Sequence, residues 1–274
     1  MSETNVREIK LFGVDAFASA SFRGNPAAVC LLKAPASEAW MQSVAAEMNL
    51  SETAFVVSSS NRGKRGLRWF TPTAEVDLCG HATLASAHVL WASGDLRVNE
   101  LAEFETRVSG ILTCRKEDDG IVMDFPARSA EVAEAPPGLL ESLGCRARYV
   151  GRTAYDFLIE VDDGEAVRQL KPDHASLARL PVRGVIVTAQ GDGGYDFVSR
   201  FFAPGVGVPE DPVTGSAHCS LGPYWAERLG RTSLRGWQAS ARGGEVGVEV
   251  RGDRVELKGK AMIAWRGEWA GLAP

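Results

Sequence analysis

Two short stretches of the sequence place reactive and small residues directly before a run of apolar, helix-forming residues. The first is DLCGHATLASAH at 77–88, and the second is EDPVTGSAHCSL at 210–221. In each, a glycine opens the run and is followed by a side chain that can form hydrogen bonds, His81 in one and Ser216 in the other. The first N–H groups of a helix lack intrahelical partners and carry about half a positive charge. Two such helix starts predict a site for a small molecule that bears a carboxylate.

The glycines at these helix starts, Gly80 and Gly215, lie 135 residues apart and let a ligand approach the backbone closely. The simpler alternative is that each glycine only ends a strand and that His or Ser caps the helix. The longer stretches 68–83 and 199–218 favour the functional interpretation, because both contain Phe-x-Pro, an acidic pair and Gly-[His/Ser]-Ala in that order. The repetition predicts two similar halves that face each other across a cleft, each with strands around a mostly apolar helix.

The composition excludes several kinds of partner. The chain has 274 residues, of which 45% are hydrophobic and 24% charged, so it can form one large domain or two small ones. Its net charge is −5 and the basic residues are scattered, so no positive stripe is present for nucleic acid or an anionic membrane. We therefore expect a small-molecule partner, with no nucleic acid and no membrane.

The N-terminus and the cysteines indicate a cytoplasmic protein. The start, MSETNVREIK, has no apolar signal region, and no segment approaches 18 uninterrupted apolar residues. The five cysteines are widely spaced and form no CxxC pair, so neither a disulfide framework nor a zinc knuckle is indicated. We expect reduced thiols.

Hydrophobic periodicity and turn residues predict alternating strands and helices. Ser37 is predicted to cap the helix EAWMQSVAAEMN, in which Trp40, Val44 and Met48 recur at four-residue spacing and mark a buried stripe. A second helix, ATLASAHVLWAS, is predicted to end at Gly94, and a third is SAHCSLGPYWAERLG. Strands are predicted at KLFGVDAF, AAVCLL, TAFVV, GLRWF, AEFET, GILTCR, IVMDF, YDFLIEV, GVIVTA, YDFVSRFF, GVEVR, RVELKG and MIAWRG.

A resemblance to a known family spans nearly the whole chain. The motifs that carry it are NPAAV at 25–29, EMNLSETAFV at 47–56, LCGHATLASAHVL at 78–90, EDPVTGSAH at 210–218, WAERLG at 225–230 and QASARGGE at 238–245. On these motifs the chain resembles the PhzF-like isomerases of phenazine biosynthesis. The resemblance implies the α+β diaminopimelate epimerase-like fold, with two pseudo-symmetric domains that each wrap a mixed or antiparallel sheet around a central helix. It also implies a homodimer, a first domain over 1–126 completed by 264–274, a second over 127–263, and an active-site cleft between them.

The same resemblance implies a site of six residues. They are Glu52, His81 and Asp211 as catalytic residues, and Gly80, Gly215 and Ser216 as substrate-binding residues. Glu52 is implied to be the general acid and base; a carboxylate is also an unusual residue to open the strand-like TAFVV, although it could be a solvated loop residue. We interpret His81 and Asp211 as residues that orient the substrate, with a second acid/base pair as the alternative.

One carboxylate in a water-poor site can take a proton from a carbon next to an unsaturated system and return it at another carbon, which is an isomerisation. The family's named substrate is a dihydro-hydroxyanthranilate, so the resemblance implies a small carboxylate of that type and a role in phenazine or related secondary metabolism. A cofactor-independent racemase with two facing cysteines is an alternative. Cys79 stands at the first position, but Thr214 stands at the second and its hydroxyl is too weak an acid to serve as the partner. A binding protein that performs no chemistry is a further alternative.

The sequence predicts no cofactor and no metal. The histidines, His81, His88, His174 and His218, show neither His-x-x-x-His nor His-Glu-x-x-His spacing. His81 and His88 would lie ~10 Å apart along one helix, too far to share an ion. A G-x-G-x-x-G motif, a Walker loop and a GxSxG elbow are also missing from the sequence.

Overall fold

Strands provide most of the regular structure of the chain, whose residues 9–58 and 64–271 are described by a computed structural model. The strands are Ile9–Ala16 (β1), Asn25–Leu32 (β2), Glu52–Ser58 (β3), Lys64–Phe70 (β4), Glu75–Val76 (β5), Ala102–Glu105 (β6), Ile111–Glu117 (β7), Gly120–Pro126 (β8), Glu131–Val132 (β9), Tyr149–Arg152 (β10), Asp156–Glu160 (β11), Gly184–Gln190 (β12), Phe197–Phe202 (β13), Ser233–Gln238 (β14), Gly244–Arg251 (β15), Arg254–Gly259 (β16) and Ala261–Trp269 (β17). The helices are Glu38–Met48 (α1), Gly80–Ala92 (α2), Leu139–Leu143 (α3), Gly164–Gln169 (α4), His174–Leu177 (α5) and Gly215–Leu229 (α6).

The chain divides into two units. The first consists of the described parts of Met1–Ala16, Pro26–Met123 and Lys260–Pro274, and the second of Phe17–Asn25 and Asp124–Gly259. Residues 17–25 group with the second unit, in which the Asn25 side chain donates hydrogen bonds to Asp211 Oδ1 at 2.7 Å and to the Val213 carbonyl at 2.9 Å.

The first unit is a mixed sheet around the buried helix α2. Its strands pair in the order β17-β1-β2-β3-β4-β6-β7-β8, parallel at β2/β3 and β4/β6 and antiparallel at β1/β17, β3/β4, β6/β7 and β7/β8. Parallel neighbours need a crossover connection. Helix α1 makes the first crossover and α2 the second. Nearly all residues of α2 are buried, and the helix packs on β1, β3 and β17, as expected for a helix that is apolar on all sides.

The second unit repeats this topology. Its strands pair in the order β9-β10-β11-β12-β13-β14-β15-β16, parallel at β11/β12 and β13/β14 and antiparallel at the other pairs. Helices α4 and α5 connect the first parallel pair, and α6 connects the second and packs on β14, β15 and β16. The two units therefore share one succession of parallel and antiparallel pairs around one long helix. This confirms the predicted α+β fold with two pseudo-symmetric halves.

Helix α1 begins as predicted, and its buried face includes Val44 but only partly matches the predicted stripe. Ser37 Oγ accepts a hydrogen bond from the Trp40 N–H at 3.3 Å, so the predicted N-cap is confirmed. Met41, Val44 and Ala45 are the buried residues, whereas Trp40 is only half-buried. The buried stripe is thus centred one position further along than the four-residue spacing predicted.

Three helices of the second unit were not predicted from the sequence. Helices α3, α4 and α5 are each four to six residues long, which is too short for a helical period to be visible. Within residues 9–58 and 64–271, no helix combines the length and the apolar character needed to cross a bilayer. All five cysteines are free thiols, and only Cys145 is not buried.

Candidate active site

Glu52 is the first residue of β3, and the strand connections bring its side chain to the start of α2. Helix α1 ends at Asn49, whose φ of 49° reverses the chain, and β3 begins three residues later beside β2, with Glu52 opposite Ala27. The Glu52 side chain is 15% exposed. It is therefore a largely buried residue of a strand, and the alternative of a solvated loop carboxylate is wrong.

His81 contacts this carboxylate directly. It is the second residue of α2 and is buried, and its Nε2 lies 3.0 Å from Glu52 Oε2. The two atoms are within ion-pair distance, but no well-aligned hydrogen bond reaches the buried Oε2 of Glu52. A carboxylate in this position retains a lone pair that is available to another partner.

The third member of the cluster is Cys79, the residue before α2. Its Sγ lies 3.5 Å from Nδ1 and 3.9 Å from Nε2 of His81. Burial raises the pKa of the Cys79 thiol to about 11, with a further upward contribution from the Glu52 carboxylate and opposing contributions from His81. The sulfur is therefore a neutral thiol at physiological pH.

The charge state of His81 is set by opposing effects. Burial lowers the pKa of His81, but the Cys79 sulfur and the Glu52 carboxylate together raise it well above the ordinary value for histidine. Of the two neighbours that raise the pKa of His81, the Cys79 sulfur has the larger effect and the Glu52 carboxylate the next. His81 thus contacts both a cysteine sulfur and a carboxylate inside the protein.

In the second unit, Asp211 is held on both carboxylate oxygens. Oδ1 accepts from Asn25 Nδ2 at 2.7 Å, and Oδ2 accepts from the Thr214 hydroxyl at 2.6 Å. Gln238 supports the same turn by donating to the Asp211 carbonyl at 2.7 Å and accepting from the Thr214 N–H at 2.8 Å. These bonds fix the segment that precedes α6.

Ser216 is the second residue of α6, the position equivalent to His81 in α2. Its Oγ lies 3.1 Å from Nη2 of Arg183, which is also paired through two nitrogens with the carboxylate of Asp156. Asp156 is 2% exposed, and the Arg183 guanidinium lies over the rings of Tyr155 and Phe201. The serine thus contacts an ion pair whose aspartate is buried and whose arginine is partly exposed. The sequence did not predict this pair, although an aspartate that opens the apolar strand DFLIE was an available signal.

Helices α2 and α6 begin at the two predicted glycines, Gly80 and Gly215, with Cys79 and Thr214 as N-cap residues. Neither N-cap side chain makes a capping hydrogen bond. His81 and Ser216 lie inside the helices and have other partners, so the alternative that they cap the helices is wrong. The first turns thus keep the character of anion-binding helix starts.

The repeated topology and the polar residues at both helix starts define a protein with the diaminopimelate epimerase-like fold. The family model described as phenazine biosynthesis-like protein matches residues 14–267. An uncharacterized isomerase of Pseudomonas aeruginosa is 52% identical over 260 residues, covering 95% of this chain and 98% of that protein. An uncharacterized isomerase of Halalkalibacterium halodurans is 47% identical, covering 94% and 97% of the two chains.

The same likeness extends to solved structures. The crystal structure of a PhzF-family phenazine biosynthesis protein of Enterococcus faecalis superposes with a TM-score of 0.91 at 42% identity, covering 96% of this chain and 99% of that one. The chain belongs to the phenazine biosynthesis-like, or PhzF, family. The resemblance read from the sequence motifs is thereby confirmed.

Proposed function

We propose that the protein is a cofactor-independent isomerase in which Glu52 moves a proton within a small substrate that bears a carboxylate. The observation that carries the proposal is the 3.0 Å contact between Glu52 Oε2 and His81 Nε2 in a buried position at the start of α2. The names of the relatives, which include isomerases, support the reaction class.

The proposed reaction breaks a C–H bond next to a double bond of the substrate. Glu52 accepts the proton, the electron pair shifts into the conjugated system, and Glu52 returns the proton to a different carbon. The atoms and electrons of substrate and product balance without an oxidant or a reductant. His81, whose Nε2 lies 3.0 Å from Glu52 Oε2, can donate a hydrogen bond to charge that develops on the substrate.

The other residues implied by the family resemblance are proposed to bind and orient the substrate in the same reaction. They are Asp211, Ser216, Gly80 and Gly215. Asp211 and Ser216 are each fixed by neighbours, which supports a role in orientation because a fixed group loses little entropy on binding. Gly80 and Gly215 begin helices and so can present backbone N–H groups to the substrate carboxylate.

The proposed substrate is a cyclic, unsaturated amino acid of the dihydro-hydroxyanthranilate type, and the proposed setting is phenazine or related secondary metabolism in the cytoplasm. The choice of substrate rests on the family resemblance and on the helix starts at Gly80 and Gly215, which favour an anion. The proposed reaction requires a compound with a carboxylate, a conjugated double bond and an acidic C–H in one ring.

An epimerase is the second candidate, because Cys79 Sγ lies 3.5 Å from His81 Nδ1 and could transfer a proton through it. The matching position in the second unit opposes this function. Thr214 holds no thiol, and its hydroxyl donates its hydrogen bond to Asp211 at 2.6 Å. A two-thiol mechanism therefore lacks its second base.

The proposal is tested with Glu52→Gln, which keeps the shape of the side chain but cannot accept and return a proton. We expect turnover of a dihydro-hydroxyanthranilate, followed by chromatography, to fall by roughly 10²–10⁴-fold while calorimetric binding stays close to that of the parent. Glu47→Gln on the exposed side of α1 is the matched control and should keep full activity. Equal turnover by the two variants would remove Glu52 from the mechanism.

A homodimer is also proposed. Besides the resemblance, the exposed apolar side chains of Met262 and Trp265 on β17 support it, since a subunit contact would cover such residues. Light scattering coupled to size-exclusion chromatography measures the mass directly, and a mass of one chain at micromolar concentration would contradict the proposal.

A further inference from the structure

Three different kinds of metal-binding side chain meet at the start of α2. One ligand atom each from Glu52, Cys79 and His81 lies within 4.8 Å of the others. The contacts are 3.0 Å between Glu52 Oε2 and His81 Nε2, and 3.9 Å between that nitrogen and Cys79 Sγ. No metal was predicted from the sequence, although the spacing of the histidines excludes only sites made by two histidines.

We propose that the cluster formed by Glu52, Cys79 and His81 binds a zinc ion reversibly. A carboxylate oxygen, a thiolate sulfur and an imidazole nitrogen are a donor set that zinc accepts and that magnesium and calcium do not favour. Three protein ligands with a fourth position left for water are typical of open zinc sites.

The distances suit a tetrahedral ion. With Zn–S of about 2.3 Å and Zn–N and Zn–O of about 2.0–2.1 Å, tetrahedral angles place sulfur about 3.6 Å from nitrogen and nitrogen about 3.3 Å from oxygen. The observed separations of 3.9 Å and 3.0 Å each differ from these values by a few tenths of an ångström. The third separation, between Cys79 Sγ and the Glu52 ligand oxygen, is within 4.8 Å, so side-chain rotations of Glu52 and His81 would complete the coordination.

The environment adds a second argument for a cation. Glu52 Oε2 is buried and lies 3.0 Å from His81 Nε2 without a well-aligned hydrogen bond, and a bound ion would coordinate this oxygen. Zinc(II) coordinated by a thiolate, a neutral imidazole and a carboxylate, with the displaced protons released to solvent, has no net charge. The occupied site therefore places no net charge in the protein interior.

Zinc at this position is an inhibitor and not a cofactor. A carboxylate that coordinates the ion cannot accept a substrate proton, so zinc and turnover exclude each other. Binding of the ion does not depend on the proposed function, whereas inhibition rests on the proposed role of Glu52.

The test uses cobalt(II) as a coloured substitute for zinc on the full chain. We expect one equivalent of cobalt to produce the near-ultraviolet charge-transfer band of a cobalt–thiolate bond, and one equivalent of zinc to remove it. Cys79→Ser should lose the band, and the matched control Cys145→Ser, which changes the one cysteine that is not buried, should keep it. A parent protein without the band, or a band that persists in Cys79→Ser, would overturn the proposal.

X-ray absorption at the zinc edge of the parent protein keeps the test independent of how the variants fold. We expect one sulfur and two or three nitrogen or oxygen ligands around the ion, and a shell without sulfur would contradict the site. Zinc that binds with this shell yet leaves turnover unchanged would support the site and contradict the proposed role of Glu52. The two proposals thus fail in distinguishable ways.

Discussion

Replacing Arg183 with methionine is expected to lower the free energy of unfolding by about 3 kcal/mol. Arg183 pairs through two nitrogens with the carboxylate of Asp156, a side chain that is 3% exposed. Removal of one partner from a buried ion pair costs roughly 3–5 kcal/mol, because the remaining charge is left uncompensated. The Arg183 side chain is itself 33% exposed, so solvent screens part of the interaction and the lower end of that range applies.

A double-mutant cycle separates the ion pair from other effects of the substitution. In Arg183→Met/Asp156→Leu, an apolar pair of similar volume replaces the charges, so about 2 kcal/mol of the loss should be recovered. The assay is urea denaturation followed by tryptophan fluorescence. Arg148→Met is the control, since its ion pair with Asp162 is 61% and 71% exposed and should matter little. A loss below about 1 kcal/mol in Arg183→Met, or no recovery in the double variant, would refute the reasoning.

Two further predictions concern buried groups that titrate. Burial lowers the pKa of His218 to about 4 in the folded protein. Because the unfolded chain then binds a proton on His218 more readily than the folded protein, the free energy of unfolding should fall by about 3 kcal/mol between pH 6.5 and pH 4. His218→Gln should remove that part of the decline in urea titrations at several pH values, and parallel curves for parent and variant would contradict the assignment. Cys79→Ala should keep most of the isomerase turnover, and mass spectrometry after iodoacetamide treatment at pH 7 should find Cys145 labelled before Cys79, because the thiol of Cys79 is buried with a pKa of about 11. Deuterium exchange at the α-carbon of a simple amino acid that is lost in Cys79→Ala would favour epimerisation instead.

The features that could be predicted from the sequence are those that local spacing or a repeat specifies. The repeated helix starts at Gly80 and Gly215 indicated two similar halves, and the strand pairing bears this out. The cap at Ser37 was predicted because capping depends on residues three positions apart. The prediction of the buried face of α1 was less accurate. A four-residue spacing does not show which of two adjacent residues packs on the core.

The contacts that the sequence missed are fixed by strand register. Parallel pairing of β11 with β12 sets Asp156 opposite Gly184, and so brings Arg183 beside a carboxylate 27 residues earlier in the chain. The position of β3 in the sheet likewise brings its first residue to the start of α2. Glu52 therefore lies close to Cys79 and His81. Register depends on the assembled sheet and on the crossover helices, so no local pattern could predict these pairs.

The most direct test of the central claim follows hydrogen by proton NMR in D₂O. With a dihydro-hydroxyanthranilate as substrate, a carboxylate that returns protons exchanged with solvent should place deuterium at the newly protonated carbon of the product. The parent protein is predicted to show this label, and Glu52→Gln is predicted to show neither label nor exchange at the original carbon. Exchange by Glu52→Gln at the rate of the parent would contradict the assignment of Glu52 as the acid and base.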